Sequence, residues 1–333
     1  MSPPPGCVDA HCHIGMNNEA VGWEGKDLNE VVEPLTPQMR AINSINPQDE
    51  AFAYALRGGV TAVCTGPGSA NVVGGSFAAI KLSGKRVDNM IIKAPAAIKC
   101  AFGENPKRWY GQGMKKTPMT RMAIAALPRE LLYKTKHYVE DKENGKNPAF
   151  DMKLESMIPV IKGEIPLKAH AHPADDILTA VRIAKEFGIK LTLDHCTDGA
   201  LIADELAKAG YWALVGPSFG SKSKIELSNK SFTTPAILHK EGVRICIVTD
   251  SPVVPRQYLP LCAGLAVNAG LDIDEAWHAI TINPANALGI ADRIGSLETG
   301  KDADIVIWTA YPLTAIGGSA YTTIVDGKIV YQA

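Results

Sequence analysis

Seven short apolar runs recur along the chain, and four of them give out at a histidine or an aspartate. They are GCVDAH (6–11), GVTAVCT (59–65), AAIKCAF (96–102), IPLKAHA (165–171), IKLTLDH (189–195), YWALVG (211–216) and VRICIVTD (243–250). Unbroken apolar runs of this length suit strands covered on both faces, as in a parallel sheet. Helical patterns separate them. PADDILTAVRIAKEFG (173–188) opens on Pro and two acids and closes on Gly; TDGALIADELAKAG (197–210) also closes on Gly. DIDEAWHAITINPANALG (272–289) predicts a helix broken at Pro284. Strand and helix in alternation imply βα units with right-handed crossovers. At 333 residues the pattern predicts an α/β fold closed into one barrel with a small appendage, in preference to an open sheet.

Two stretches depart from this rhythm. Residues 103–150 are rich in Lys and Arg, read as mostly helical, and carry a polar turn at EDKENGKNP (140–148). They predict an insertion that covers the barrel mouth. GPGSANVVGG (66–75) matches no phosphate-binding fingerprint and reads as a mouth loop. The tail changes character: 294–308 and 321–333 predict short antiparallel strands with DGK as a turn. The expected division is a barrel over 1–293 and a C-terminal β segment over 294–333.

Composition narrows the partners. A net charge of −1 with 46% apolar residues gives no electrostatic basis for binding nucleic acid or an anionic membrane. No apolar run is long enough to span a bilayer, and no basic-then-apolar opening reads as a signal peptide. Seven cysteines, an odd number without a CxxC pair, predict buried free thiols in a reducing, cytoplasmic setting. The expected partner is a small molecule.

Chemistry concentrates where the strands end. Alternate residues of a strand point the same way, so His11 and His13 can share one side and hold one divalent cation. His170 and His172 end LKAHAH, His195 ends LTLDH and Asp250 ends ICIVTD. In parallel α/β folds this end of the strand is where active sites form. Unpaired buried polar groups are costly, so four strands ending this way point to a shared site.

These motifs resemble the amidohydrolase superfamily, and PANALGIADRIGSLETGKDADIVIW (284–308) is similar to its C-terminal signature. HAHPADDI, VTDSP and GVTAV place the likeness nearest the imidazolonepropionase-like and prolidase-like branch. The resemblance implies a distorted TIM-type (β/α)8 barrel and one or two divalent ions, Zn2+ foremost. It implies His11, His13, His170, His195 and Asp250 as metal ligands, with Asp250 also the general base and His195 catalytic. His172 is the second choice on its strand, as ligand, ligand-orienting group or substrate contact. Two-metal members carry a bridging lysine carboxylated by CO2, and Lys99 stands at the matching position; the alternative is a lysine that snorkels to solvent. Glu104 is a weaker bridging candidate, or a loop acid paired with Lys107 or Arg108.

Relatives carry several dozen residues before HxH that complete a small β-sandwich, so the tail is expected to form an incomplete one. Its strands could pair with a second copy in a homo-oligomer, or cover a bare edge. Pro173 stands where imidazolonepropionases and many deaminases carry Glu, and Asp175 and Asp176 read as helix-capping acids. Arg121 and Arg129 are candidates for a substrate carboxylate, or else belong to solvated helix faces. His137, His239 and His278 read as surface or packing residues, and Ser218 and Ser251 lack a serine-hydrolase elbow. The implied activity is hydrolysis of a C–N bond in a cyclic or peptide-like amide. A mononuclear heterocycle deaminase or a damaged relative are the alternatives.

Overall fold

The computed structural model describes residues 4–19, 22–315 and 317–333. Eight strands follow one another around a single sheet in sequence order. They are β1 (Cys7–Cys12), β2 (Val60–Thr65), β3 (Val73–Lys81), β4 (Ile91–Ala101), β5 (Leu167–Ala171), β6 (Leu191–His195), β7 (Trp212–Val215) and β8 (Ile245–Ile247). The pairs β1–β2 and β4 through β8 are parallel. β3 pairs antiparallel with both β2 and β4. Among the described residues ten α-helices accompany them: α1 (Glu50–Arg57), the one-turn α2 (Glu104–Pro106), α3 (Arg121–Glu143), α4 (Met152–Ile161), α5 (Ala174–Phe187), α6 (Ala203–Ala209), α7 (Thr234–Lys240), α8 (Leu259–Asn268), α9 (Ile273–His278) and α10 (Ile282–Leu288).

The seam between β8 and β1 closes through main-chain bonds. Asp250 N donates to His11 O (3.1 Å) and His13 N to Ser251 O (2.8 Å) at the upper end. Lower down, Val8 N donates to Ile280 O and Ile247 N to Ala279 O, so the segment between α9 and α10 fills the gap. The result is a distorted (β/α)8 barrel. Its interior is narrow: Ala10, Ala62, Cys64, Ala79 and Ala97 leave room for one large ring, Phe77 of β3. A second, larger apolar core lies between the barrel wall and its helices.

Two expectations need correction. Val73–Gly75, read as part of a mouth loop, begin strand β3. Gly74 and Gly75 weaken the local β preference, and pairing on both sides supplies what the sequence lacks. The break before α10 falls at 279–281, ahead of Pro284, which sits in the first turn of α10 where its missing N–H costs nothing. After β4, residues 107–114 form a π-helical stretch and α3 runs on to Glu143. All seven cysteines are buried and free. Among the described residues no helix is long and apolar enough to cross a membrane.

The tail forms a three-stranded antiparallel sheet, β9 (Ile305–Trp308), β10 (Ala320–Val325) and β11 (Lys328–Gln332), in the order β11-β10-β9. Asp326 and Gly327, both at positive φ, make the tight turn. Lys81, at the end of β3, fastens this sheet to the barrel. Its ammonium lies 2.5 Å from Asp304, 3.1 Å from Asp302 and 3.1 Å from Asp326. Lys81→Met leaves the buried Asp304 without its cation and is expected to cost about 3–5 kcal/mol of stability. Urea unfolding checks this; a loss below about 1 kcal/mol, the scale of a surface pair, would show that the hub is not needed.

Candidate metal centre

β1 carries a register shift between Asp9 and Cys12, so its end does not follow simple alternation. His11 turns into the barrel and stacks on Phe77, ring centroids 5.4 Å apart. On β6 and after β8 the backbone itself is bent: His195 has φ 73° and Asp250 φ 51°. This left-handed region is tolerated by Asp and His better than by most residues. It lets Asp194 and His195, neighbours in sequence, both reach the interior.

The candidate ligands gather into two adjoining trios. Donor atoms of His11, His13 and Asp250 lie within 4.8 Å of one another, as do those of His170, His172 and His195. Asp250 Oδ1 is 3.4 Å from His11 Nε2 and 3.2 Å from His13 Nε2. The rings of His11 and His195 are 5.2 Å apart, and those of His170 and His195 4.4 Å. His172 stands with His170 and His195; its Nδ1 is 2.8 Å from Thr197 Oγ1.

Two glycine carbonyls fix two of the rings. Gly66 O accepts from His13 Nδ1 at 2.7 Å, and Gly216 O from His195 Nδ1 at 2.8 Å. A carbonyl only accepts, so Nδ1 carries the proton and Nε2 keeps its lone pair. Both positions need Gly for space. A Cβ at Gly66 would fall 2.4 Å from the Phe77 ring, and one at Gly216 2.4 Å from Val248 O.

Lys99 is fully buried, which excludes a lysine that snorkels to solvent. Its Nζ is 3.4 Å from His11 Nε2 and 3.6 Å from Asp194 Oδ2. Burial lowers its pKa, Asp194 acts against this, and the neighbouring Lys168 lowers it further. Glu104 lies in α2, beyond both trios, and its backbone N–H donates to Glu226. It makes no ion pair with Lys107 or Arg108 among the described residues. Arg121 is held by Asp176, with Nε 3.0 Å from each oxygen. Arg129 pairs with Glu186 on an exposed helix face. His137 pairs with Glu140, and His239 and His278 with Glu275, away from the trios.

Sequence reasoning overlooked four residues at this site. Asp194 and Lys168 lie directly beneath the trios. Asp9, pushed up to about 6 by burial, accepts from Thr249 Oγ1 at 2.5 Å and so braces the turn that presents Asp250. Asn105 brings its amide 3.3 Å from His170 Nε2. Lys168 had a usable signal, since it precedes His170 by two residues and shares its side of β5.

The donor set fits a divalent ion. His170 Nδ1 is buried without a hydrogen-bond partner, an arrangement that is costly unless a further group meets it. Burial holds His170 and His172 well below their ordinary range and takes His195 down to about 3. These imidazoles are therefore neutral, the form that binds metal. Neutral imidazoles with one carboxylate suit borderline ions such as Zn2+.

The same burial has a pH consequence. Between about pH 3 and the ordinary 6.5, the unfolded chain binds a proton on His195 that the folded chain refuses. Stability of the metal-free protein is therefore expected to fall as the pH drops through that window. The urea midpoint after chelator treatment should be clearly lower at pH 4.5 than at pH 7.5. Equal midpoints would contradict the buried, neutral imidazole.

A barrel with two histidine-rich trios at the C-terminal ends of its strands is the architecture of a metal-dependent hydrolase. The sequence model of the Amidohydrolase family matches residues 4–330, and the chain belongs to that family. An amidohydrolase structure from Thermotoga maritima MSB8 is similar over 99% of this chain and 87% of its own, at 42% identity and a TM-score of 0.95. Amidohydrolase tasK of Hapsidospora irregularis is 27% identical over 98% of this chain, a stretch that is only 36% of its own length. An imidazolonepropionase of Symbiobacterium thermophilum is 26% identical over 78% of this chain and 70% of its own.

Proposed function

We propose that the protein hydrolyses the C–N bond of a cyclic or peptide-like amide in a small molecule that carries a negative charge. The observation that supports it most is the position of Asp250, whose carboxylate faces the Nε2 atoms of His11 and His13. His11, His13 and Asp250 would hold one ion, and His170 and His195, with His172 beside them, a second. Zn2+ suits the set best, and Lys99, carboxylated by CO2, would join the two halves. When bound, a divalent ion lowers the pKa of water toward neutrality and polarises a carbonyl. Asp250 takes the proton of the attacking water and later delivers it to the departing nitrogen. His195, steadied by Gly216, presents Nε2 to the same space.

The charge assigned to the substrate rests on the mouth. A cavity of about 500 Å³ beside the centre is lined by Lys107, Arg108, Lys115 and Arg121, against Glu104 and Glu226. Glu226 is already paired with Lys224. In a chain of net charge −1 this local positive excess favours an anionic group such as a carboxylate. Arg121 contributes through the part of its guanidinium not engaged by Asp176. The chain is expected to act without nucleic acid or membrane, alone or as a homo-oligomer.

The test is metal content per chain together with turnover of dipeptides, N-acyl amino acids and lactams, each beside its uncharged amide or ester. Hydrolysis of the acidic members with two ions bound supports the reading. Ammonia released from a heterocycle with one ion would favour the deaminase. Metal-loaded protein inert toward every class would favour the damaged relative.

A further inference from the structure

Two fully buried lysines, Lys99 and Lys168, face one buried carboxylate, Asp194, at the centre of the barrel. Their ammonium groups stand 5.6 and 5.5 Å from the centre of the Phe77 ring. Lys99 has a place in the proposed chemistry. Lys168 has none there: a protonated amine has no lone pair to give a metal, and no solvent reaches it.

The contacts of Asp194 suggest what Lys168 does. Oδ1 receives Lys168 Nζ at 3.0 Å and Thr192 Oγ1 at 3.2 Å. Oδ2 lies 3.0 Å from His11 Nδ1. A carboxylate held at one oxygen by an ammonium and a hydroxyl has its other oxygen fixed in direction. His13 and His195 have a glycine carbonyl opposite Nδ1. His11 has Asp194 Oδ2 in that position, within ion-pair distance but not aligned as a hydrogen bond. An ionised carboxylate accepts and cannot donate, so the pair selects the ring form with its proton on Nδ1.

We propose that Lys168 and Asp194 are positioning residues that fix the tautomer and orientation of His11 and thereby set the affinity of the His11–His13–Asp250 half of the centre. The inference rests on the metal-centre reading above. A plain packing role is the competing account. Replacing a buried ion pair by apolar residues of similar volume is often neutral or stabilising, so a packing role leaves the site unaffected when both partners are replaced together.

The deciding variant is therefore Lys168→Met with Asp194→Leu, which removes one charge of each sign. Asp194→Asn serves as the single change, because it keeps the shape. The first readout is the ¹⁵N spectrum of the imidazoles in metal-free, histidine-labelled protein, with the His11 signal assigned through His11→Asn. His11 is expected as the Nδ1–H form in the wild type and should lose that preference in both variants, while His13 and His195 keep theirs. The second readout is Zn2+ affinity by chelator competition. One class of site should weaken by about 10–100-fold, with the other unchanged. An unaltered His11 tautomer overturns the proposal, and so does an altered tautomer with both affinities within about twofold of wild type. A wild type that holds no metal would instead sink the proposed hydrolase, and the tautomer spectrum, taken without metal, would still decide the role of the pair.

Discussion

Asp250→Asn is expected to lower kcat/KM by about 10²–10⁴-fold, the usual worth of a positioned general acid–base. Asn has nearly the same shape and also tolerates the left-handed backbone that Asp250 adopts at φ 51°. The turn is held independently, by Asp9 on Thr249 and by the main-chain bond from Asp250 N to His11 O. The fold should therefore survive the change. What disappears is the negative charge, held well below the usual carboxylate range despite burial by the imidazoles of His195, His11 and His13 that face it. Steady-state kinetics with saturating metal checks the expectation. A loss of less than about tenfold would remove Asp250 from the proton-transfer role.

Lys99→Met is expected to have the second large effect. Met fills a similar volume and has no charge to desolvate, so the metal-free fold should be no less stable, and the buried excess of cations over Asp194 is relieved. Metal content should fall from two ions per chain to one or none, and turnover with it by at least about 10²-fold, again on the scale of a lost catalytic group. Intact-mass measurement under native conditions should find the mass of one CO2 on the wild type and none on the variant. Equal metal content in both proteins would assign Lys99 to structure alone.

The strands were legible because burial on both faces writes continuous apolar runs, and because each ligand sits where such a run stops. β3 was hidden for the opposite reason. Its first turn of sequence is Val73-Gly74-Gly75, and its direction is reversed, so neither composition nor the βα rhythm announced it. Asp194 was hidden by a rule that ordinarily helps. Period-two alternation assigns it to the side opposite His195, and only the φ of 73° at His195 cancels that. Asp9 and Asn105 act from elements distant in sequence, and no local pattern connects them to the histidines they serve. Lys168 stood in plain view, two residues before His170, but a lysine in an apolar strand reads as a candidate ligand precursor only when it falls on the matching strand.

The carbonyls of Gly66 and Gly216 have an evolutionary consequence. The groups that orient His13 and His195 belong to the main chain, so side-chain exchange in the surrounding loops leaves them in place. Only bulk at the glycines themselves, pressing on Phe77 or on Val248, would displace them. The loops that shape substrate choice can therefore drift, or be randomised in a directed-evolution library, while two histidines keep their alignment. Catalytic competence and specificity are thereby partly uncoupled, which gives this barrel latitude to acquire new substrates.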